Sequence, residues 1–293
     1  MRNIVFYVPG TRYYDNGLYQ NHANSFVNIS LTGAACECRC EHCQGKLLNS
    51  MISVTEPEKL VELAKNLRKQ GCQGVLISGG ACADGSVPLR PFAKAIEQVA
   101  ALGLAVVVHP GVLSDDTAHL LAGANITRVA LDLIGDDDTI RNVYHLPYTS
   151  ADYQISLRTA RHAGLKTSPH IVIGLHYGEI RGEFKALDMV AAEGADSLIL
   201  VLLNPLKNTP MSNVTFPPLY AVREIFRQAR KLLPDIPIAL GCARPPGHYS
   251  RSVELLAIDA GFNAIAYPAR ETVDYASSCG YKIAYQEMCC GIF

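Results

Sequence analysis

Cys36, Cys40 and Cys43 stand in the spacing C-x3-C-x2-C within the run Cys36-Glu37-Cys38-Arg39-Cys40-Glu41-His42-Cys43. Three thiolates so close on a short loop can hold three irons of a [4Fe–4S] cube, which leaves the fourth iron open to a small molecule. Structural zinc is the competing use of clustered cysteines. Closed zinc sites take four ligands, often as two C-x2-C pairs, and one such pair, Cys40/Cys43, is present without a second. His42 is a candidate fourth metal ligand, and Cys38 reads as a spacer. A disulfide framework suits short secreted chains. This chain has 293 residues, and Met1–Phe6 lacks the apolar region and small-residue cleavage site of a signal peptide.

Composition narrows the setting. Ten cysteines without a secretion signal point to a reducing cytoplasm, where such residues bind metal or catalyse more often than they cross-link. A net charge of −1 leaves no electrostatic footprint for nucleic acid. No apolar run reaches about 18 residues, so no membrane span is expected. With 49% hydrophobic residues the chain can bury a large core.

The elements that must position the cysteine loop alternate along the chain. Strands are predicted at Ser25–Leu31, Gly74–Ser78, Leu104–His109, Arg128–Leu133, Lys166–Gly174, Ser197–Leu202, Pro237–Gly241 and Ala264–Tyr267. Amphipathic helical stretches follow them, such as Pro57–Gln70, with Leu60, Leu63, Ala64 and Leu67 on one face. This is an α/β chain of about eight βα units, the count of a parallel TIM-type barrel. An open doubly wound sheet is the alternative. The polar residues favour the barrel, because groups with chemical potential follow most strands and would converge at one mouth. They are the cysteine loop, Ser78-Gly79-Gly80, His109, Asp132, His170 to His176, and Cys242. The expected organisation is a barrel over 25–278, with a Tyr-rich N-terminal extension, 1–24, and a Cys-rich C-terminal tail, 279–293.

The cysteine loop resembles the cluster-binding loop of radical SAM enzymes. In that family the open iron chelates S-adenosylmethionine, and an electron from the cluster cleaves it to a 5′-deoxyadenosyl radical. The resemblance extends to Ser78, Gly79 and Gly80, where the family binds the methionyl amino group. The usual acidic residue is absent there, since Ala81 follows, and Asp84 or Ser78 is the replacement. His42 takes the place of an aromatic or apolar residue beside the adenine. Ile173 and Gly174 match the fifth-strand motif against the adenine, and Asp132 is a partner for the ribose hydroxyls. His109 and His170 end strands and are the candidate catalytic residues; the alternative for each is a histidine bonded to backbone. Cys279, Cys289 and Cys290 are candidate ligands of an auxiliary cluster, with Cys242 or Cys82 as helpers. The alternative is that they are redox-inert.

Longer stretches are similar to the radical SAM subunits of two-protein lipoyl synthases, close in plan to biotin synthase. They include Ser30-Leu31-Thr32-Gly33, Pro169 to Gly178 and Leu240-Gly241-Cys242-Ala243-Arg244-Pro245. That resemblance implies sulfur insertion into an octanoyl chain on a carrier-protein lysine, with an auxiliary [4Fe–4S] cluster as sulfur source. It also implies a second radical SAM subunit and an electron donor such as ferredoxin or flavodoxin. Val201, Leu202 and Leu203 are expected to line a dry pocket for the alkyl chain. Two other functions compete. One is a radical SAM mutase, methylase or dehydrogenase acting on a small metabolite; the other is a non-catalytic iron–sulfur carrier or scaffold.

Overall fold

The computed structural model describes residues 2–293. Eleven strands form one sheet: β1 (Arg2–Tyr7), β2 (Phe26–Ser30), β3 (Ile52–Ser53), β4 (Gly74–Ser78), β5 (Ala105–Val108), β6 (Arg128–Asp132), β7 (Thr167–Ile173), β8 (Leu198–Leu202), β9 (Ile238–Leu240), β10 (Ala264–Ala266) and β11 (Tyr281–Gln286). Their order is β11-β1-β10-β9-β8-β7-β6-β5-β4-β2-β3, and every pairing is parallel. The eight strands predicted from sequence are consecutive neighbours in this order, as a (βα) barrel wall requires.

Helices cover the outer face: α1 (Pro57–Lys69), α2 (Ala93–Ala101), α3 (Asp115–Gly123), the single turn α4 (Asp137–Thr139), α5 (Ser150–His162), α6 (Glu183–Glu193), α7 (Leu219–Leu232), α8 (His248–Asp259) and α9 (Arg270–Ser278). Pro57 opens α1, where its missing N–H costs nothing, and Leu60, Ala64 and Leu67 turn inward one helical turn apart. A reciprocal Thr149–Asp152 capping box starts α5. The main core lies between these helices and the sheet.

The opposite face of the sheet is concave. Val107 and Ala130 from one half, and Ile199, Val201, Ala239, Ala264 and Ala266 from the other, point into the interior. Met288 packs against both groups. The sheet is therefore curled into a partial barrel, with β3 and β11 at its ends.

Both terminal segments contribute to the barrel. Residues Arg2–Tyr7, inside the segment read as an extension, form β1 between β10 and β11. After β11 the tail turns into the barrel. Ser168 Oγ donates to the Gly291 carbonyl at 2.7 Å and Arg128 Nη2 to the Phe293 carbonyl at 3.1 Å. Glu287 anchors the entry of this plug by accepting from Tyr19 and from the backbone and ring of His22. Among the described residues no helix is long and apolar enough to cross a membrane.

Candidate functional site: a cysteine loop and an interior thiol group

The loop after β2 is held from two sides. Thr32 Oγ1 accepts from Gly80 N at 2.7 Å and donates to the Ala35 carbonyl at 2.9 Å. Glu37 N donates to the Ala81 carbonyl, and Glu37 Oε2 accepts from Ala83 N. A side chain at Gly80 cannot fit, because its Cβ would lie 1.9 Å from the Ala35 oxygen and 2.6 Å from the Cys36 Cβ. From the other side a π-helical turn, Ile140–Tyr144, presents the Val143 carbonyl to Glu41 N and lays the Tyr144 ring 5.2 Å from His42. Insertions of this kind recur at functional sites.

Burial raises the Cys40 thiol far above its ordinary value, and the charges of Cys43, Cys38 and Cys36 add to the shift. Burial also raises Cys43, with Cys36 contributing. Cys36, Cys40 and Cys43 thus sit within electrostatic reach of one another, and their negative charge becomes favourable once cations share the loop. Among the described residues no three His, Cys, Asp or Glu side chains close around a single ion position. A cube does not need that convergence, since it spreads its ligands over separate irons. Cys38 turns away, donating to the Cys82 carbonyl at 3.1 Å.

Beside the loop lies a half-buried carboxylate among imidazoles. Asp132, last in β6, accepts from His109 Nε2 at 3.4 Å. The His109 and His170 rings are 6.3 Å apart, and His42 acts on the same carboxylate. Burial alone would raise Asp132, but His109, His170 and His42 outweigh it and hold the carboxyl at about 2. Burial likewise pushes His109 down, and the Asp132 charge and hydrogen bond reverse this and raise it. His170 is driven to about 4 by burial and by the His109 charge. It is therefore neutral near pH 7, and its Nδ1 donates to the Ser168 carbonyl at 2.9 Å. His42 is held low by burial, and its Nδ1 has no partner. The structure thus gathers His42, His109, Asp132 and His170 next to the cysteine loop.

Other sequence-predicted residues are placed differently. Ser78 spends its hydroxyl on the His109 carbonyl at 2.9 Å, tying the end of β4 to that of β5. Asp84 accepts from Ser86 N and Ser86 Oγ on the exposed clamp loop. Gly79 and Gly80 pack on Thr32 and Cys36 and so support the cysteine loop. Ile173 is fully buried against the helices. Side chains alternate along a strand, so Val172, and not Ile173, faces the interior. The same alternation turns Leu202 outward and leaves Val201 inside. Gly174 turns with φ +77° under Pro217, and its N–H donates to the buried Glu183.

A second thiol group lies in the barrel interior. Cys242, Cys289 and Cys290 lie close enough for each thiol to shift its neighbour's proton affinity. Cys242 follows β9 and is exposed to a cavity at the mouth. The neighbouring Cys290 thiol brings Cys242 down to about 6 against burial, with help from Arg12 and Arg244. The Cys290 thiol lowers Cys289 likewise, and Arg128 assists. Arg128 is almost fully buried, and its Nε and Nη1 have no hydrogen-bond partner. Its nearest acidic side chain, Asp196, is 3.9 Å away. Orphaned guanidinium donors beside Cys289 fit an anionic sulfur-rich group.

Cys279 is not part of this group. It caps the exposed end of α9 beside Tyr275. The six residues of β11 then separate it from Glu287, a span of about 20 Å. Cys82 stays on the clamp loop. Arg128 escaped the sequence reading, although an arginine opening the otherwise apolar run Arg128-Val129-Ala130-Leu131 was a usable signal.

The model of the radical SAM superfamily matches residues 30–188, which include the cysteine loop, the glycine clamp and the Asp132 cluster. The chain belongs to the radical SAM superfamily. Membership implies a [4Fe–4S] cluster and S-adenosylmethionine as cofactors. The chain is 25% identical over 280 residues to biotin synthase of Synechococcus sp. (strain CC9311), covering 91% of this chain and 82% of that one. Biotin synthase of Rhodopseudomonas palustris (strain TIE-1) is 26% identical over 258 residues, 84% of this chain and 74% of its own. Among solved structures, methylornithine synthase (PylB) superposes with a TM-score of 0.60 at 16% identity, covering 88% of this chain and 82% of that one. The [FeFe]-hydrogenase maturase HydG from Carboxydothermus hydrogenoformans gives 0.63 at 15% identity, covering 97% and 68%. These two structures share the partial-barrel fold with this radical SAM chain.

Proposed function

We propose that this chain is a radical SAM enzyme that inserts sulfur into an octanoyl group amide-linked to a lysine of a carrier protein, a reaction of the lipoyl synthase type. The observation that carries this reading is the interior group Cys242, Cys289 and Cys290 with the orphaned donors of Arg128. Cys36, Cys40 and Cys43 are assigned to the cluster that binds S-adenosylmethionine, and the interior thiols to an auxiliary cluster. When bound, these groups supply a 5′-deoxyadenosyl radical, which takes hydrogen from an unactivated carbon, and a sulfide for that carbon.

The chain's own residues do the rest. The glycine clamp and the π-helical turn fix the loop. His109 holds its proton at Nε2 toward Asp132, while neutral His170 keeps Nδ1 on backbone. The cluster of Asp132 and three imidazoles therefore carries a settled charge pattern. Val172, Ile199 and Val201 supply apolar walls that exclude water from a radical. The similarity to biotin synthases supports sulfur insertion. Electrons come from a ferredoxin- or flavodoxin-type donor in this reading, and a second radical SAM subunit shares the substrate.

The test is anaerobic turnover of the reconstituted chain with S-adenosylmethionine, reductant and an octanoyl-lysine peptide. Sulfur-bearing product with matching loss of protein sulfide supports the reading. Formation of 5′-deoxyadenosine with a desaturated or rearranged product and no sulfide loss contradicts it.

A further inference from the structure

A cavity of about 470 Å³ opens at the barrel mouth between Arg12–Asn16 and the segments after β9 and β10. Cys242 lies on its wall, so the cavity leads to the interior thiol group. Four arginines line it: Arg12, Arg244, Arg251 and Arg270. Three of them have carboxylate partners. Arg244 pairs with buried Glu254 at 2.9 Å and also donates to the Gly241 and Ala266 carbonyls. Arg251 reaches Glu271 at 3.2 Å, and Arg270 reaches Asp274 at 3.7 Å. Asp15, the other acid on the wall, is occupied by Gly17 N and Tyr13 Oη.

Arg12 differs. Among the described residues no carboxylate lies within ion-pairing distance of it. Its guanidinium is stacked 3.9 Å over the Tyr267 ring, which is itself pinned by donation from Tyr267 Oη to the Pro9 carbonyl. Stacking spends the flat face of the guanidinium and leaves its N–H edge free, the edge that receives a carboxylate in two parallel hydrogen bonds. Tyr13 follows Arg12 in sequence and Leu18 is bonded through its N–H to Asn16 of the wall; the two stand 74% and 47% exposed. Large apolar side chains on the outer rim suit contact with a polypeptide, whereas a small ligand is held by enclosing walls.

We propose that this mouth docks an acidic acyl-carrying polypeptide. Arg12 takes a carboxylate next to the acylated lysine, Tyr13 and Leu18 cover apolar groups beside it, and the acyl chain enters past Cys242. The inference rests on the carrier-bound substrate proposed above and adds the surface that recognises it.

The experiment measures binding to the reconstituted full chain by fluorescence anisotropy, at low and high salt. Three labelled peptides are used: octanoyl-lysine flanked by Asp and Glu, the same peptide with Asn and Gln, and the acidic peptide without the octanoyl group. The acidic octanoyl peptide should bind about tenfold tighter than the amide one, the factor of one charged hydrogen bond, and salt should erode the difference. Arg12→Gln should abolish that preference, while Tyr13→Ser/Leu18→Ser should weaken both octanoyl peptides alike. Equal binding of acidic and amide peptides, or a preference that survives Arg12→Gln, overturns the docking site. Displacement of both octanoyl peptides by free octanoate, with octanoate affinity lost in Arg12→Gln, overturns it in favour of a small carboxylate ligand. If the acidic peptide binds equally with and without its octanoyl group, the docking surface stands and the octanoyl reading fails.

Discussion

Replacing Asp132 with Asn tests the electrostatics of the interior. Asn keeps the shape and removes the charge that opposes three imidazoles. Asp132 is held at about 2 instead of its ordinary 3.8. At about 1.4 kcal/mol per tenfold change in proton affinity, this depression is worth about 2 to 3 kcal/mol. That stability is present above pH 3.8 and disappears as pH falls toward 2. His109 supplies the complementary dependence. Its value is raised, so its share is complete below 6.5 and is lost as pH rises through the higher folded value. In Asp132→Asn burial outweighs the remaining backbone hydrogen bond, and His109 should fall below its ordinary value. Thermal unfolding of reconstituted protein, scanned from acid to alkaline pH, reads this directly. The variant should melt roughly 3–5 °C lower near pH 6, and the gap should narrow as pH rises and wild-type His109 loses its proton. A gap independent of pH, or none, would refute the ion pair. Wild-type and variant enzyme should also differ in their pH profiles for 5′-deoxyadenosine formation.

Two further substitutions separate the parts of the site. Gly80→Ala forces a Cβ into the Ala35 carbonyl and Cys36. It should cost roughly 1–3 kcal/mol by overpacking and lower iron at the loop together with S-adenosylmethionine cleavage, leaving the interior site loaded; normal cleavage would show that the clamp does not set the loop. Cys279→Ser should leave iron, sulfide and turnover unchanged because the residue is outside the barrel, whereas Cys242→Ser should lose the interior iron and keep cleavage. The opposite pattern of iron loss would restore Cys279 as the ligand.

Periodicity carried most of the fold. The eight apolar runs fell within a residue or two of β2, β4 to β10, because strands buried on both faces read as continuous apolar segments. β11 was missed for the converse reason. It alternates half-buried Tyr281, Ile283 and Tyr285 with exposed Lys282, Ala284 and Gln286, at the edge of the sheet. β1 was read as part of an extension because its partner strands, β10 and β11, lie more than two hundred residues away in sequence. At the site, residues carried by strand ends were legible: His109 and Asp132 converge as the barrel requires, while His170, expected to end its strand, joins them from the middle of β7. Which side of a strand a residue faces was less so, since a fully apolar run hides its alternation; Ile173 and Leu202 were aimed inward on that account. The tail cysteines were recognisable by type. Their partner Cys242 could be no more than a helper, and Arg128 was unseen, because only the inward turn of residues 287–293 brings them together.

The most direct test of the proposed sulfur-inserting site is the iron and sulfide content of the chain with Cys36, Cys40 and Cys43 all changed to Ala. After anaerobic reconstitution this variant should cleave no S-adenosylmethionine yet retain about four irons per chain, the content of a single [4Fe–4S] cluster. Changing Cys242, Cys289 and Cys290 as well should take iron and sulfide to near zero. A loop variant that binds no iron, or iron that survives loss of the interior thiols, would contradict the account.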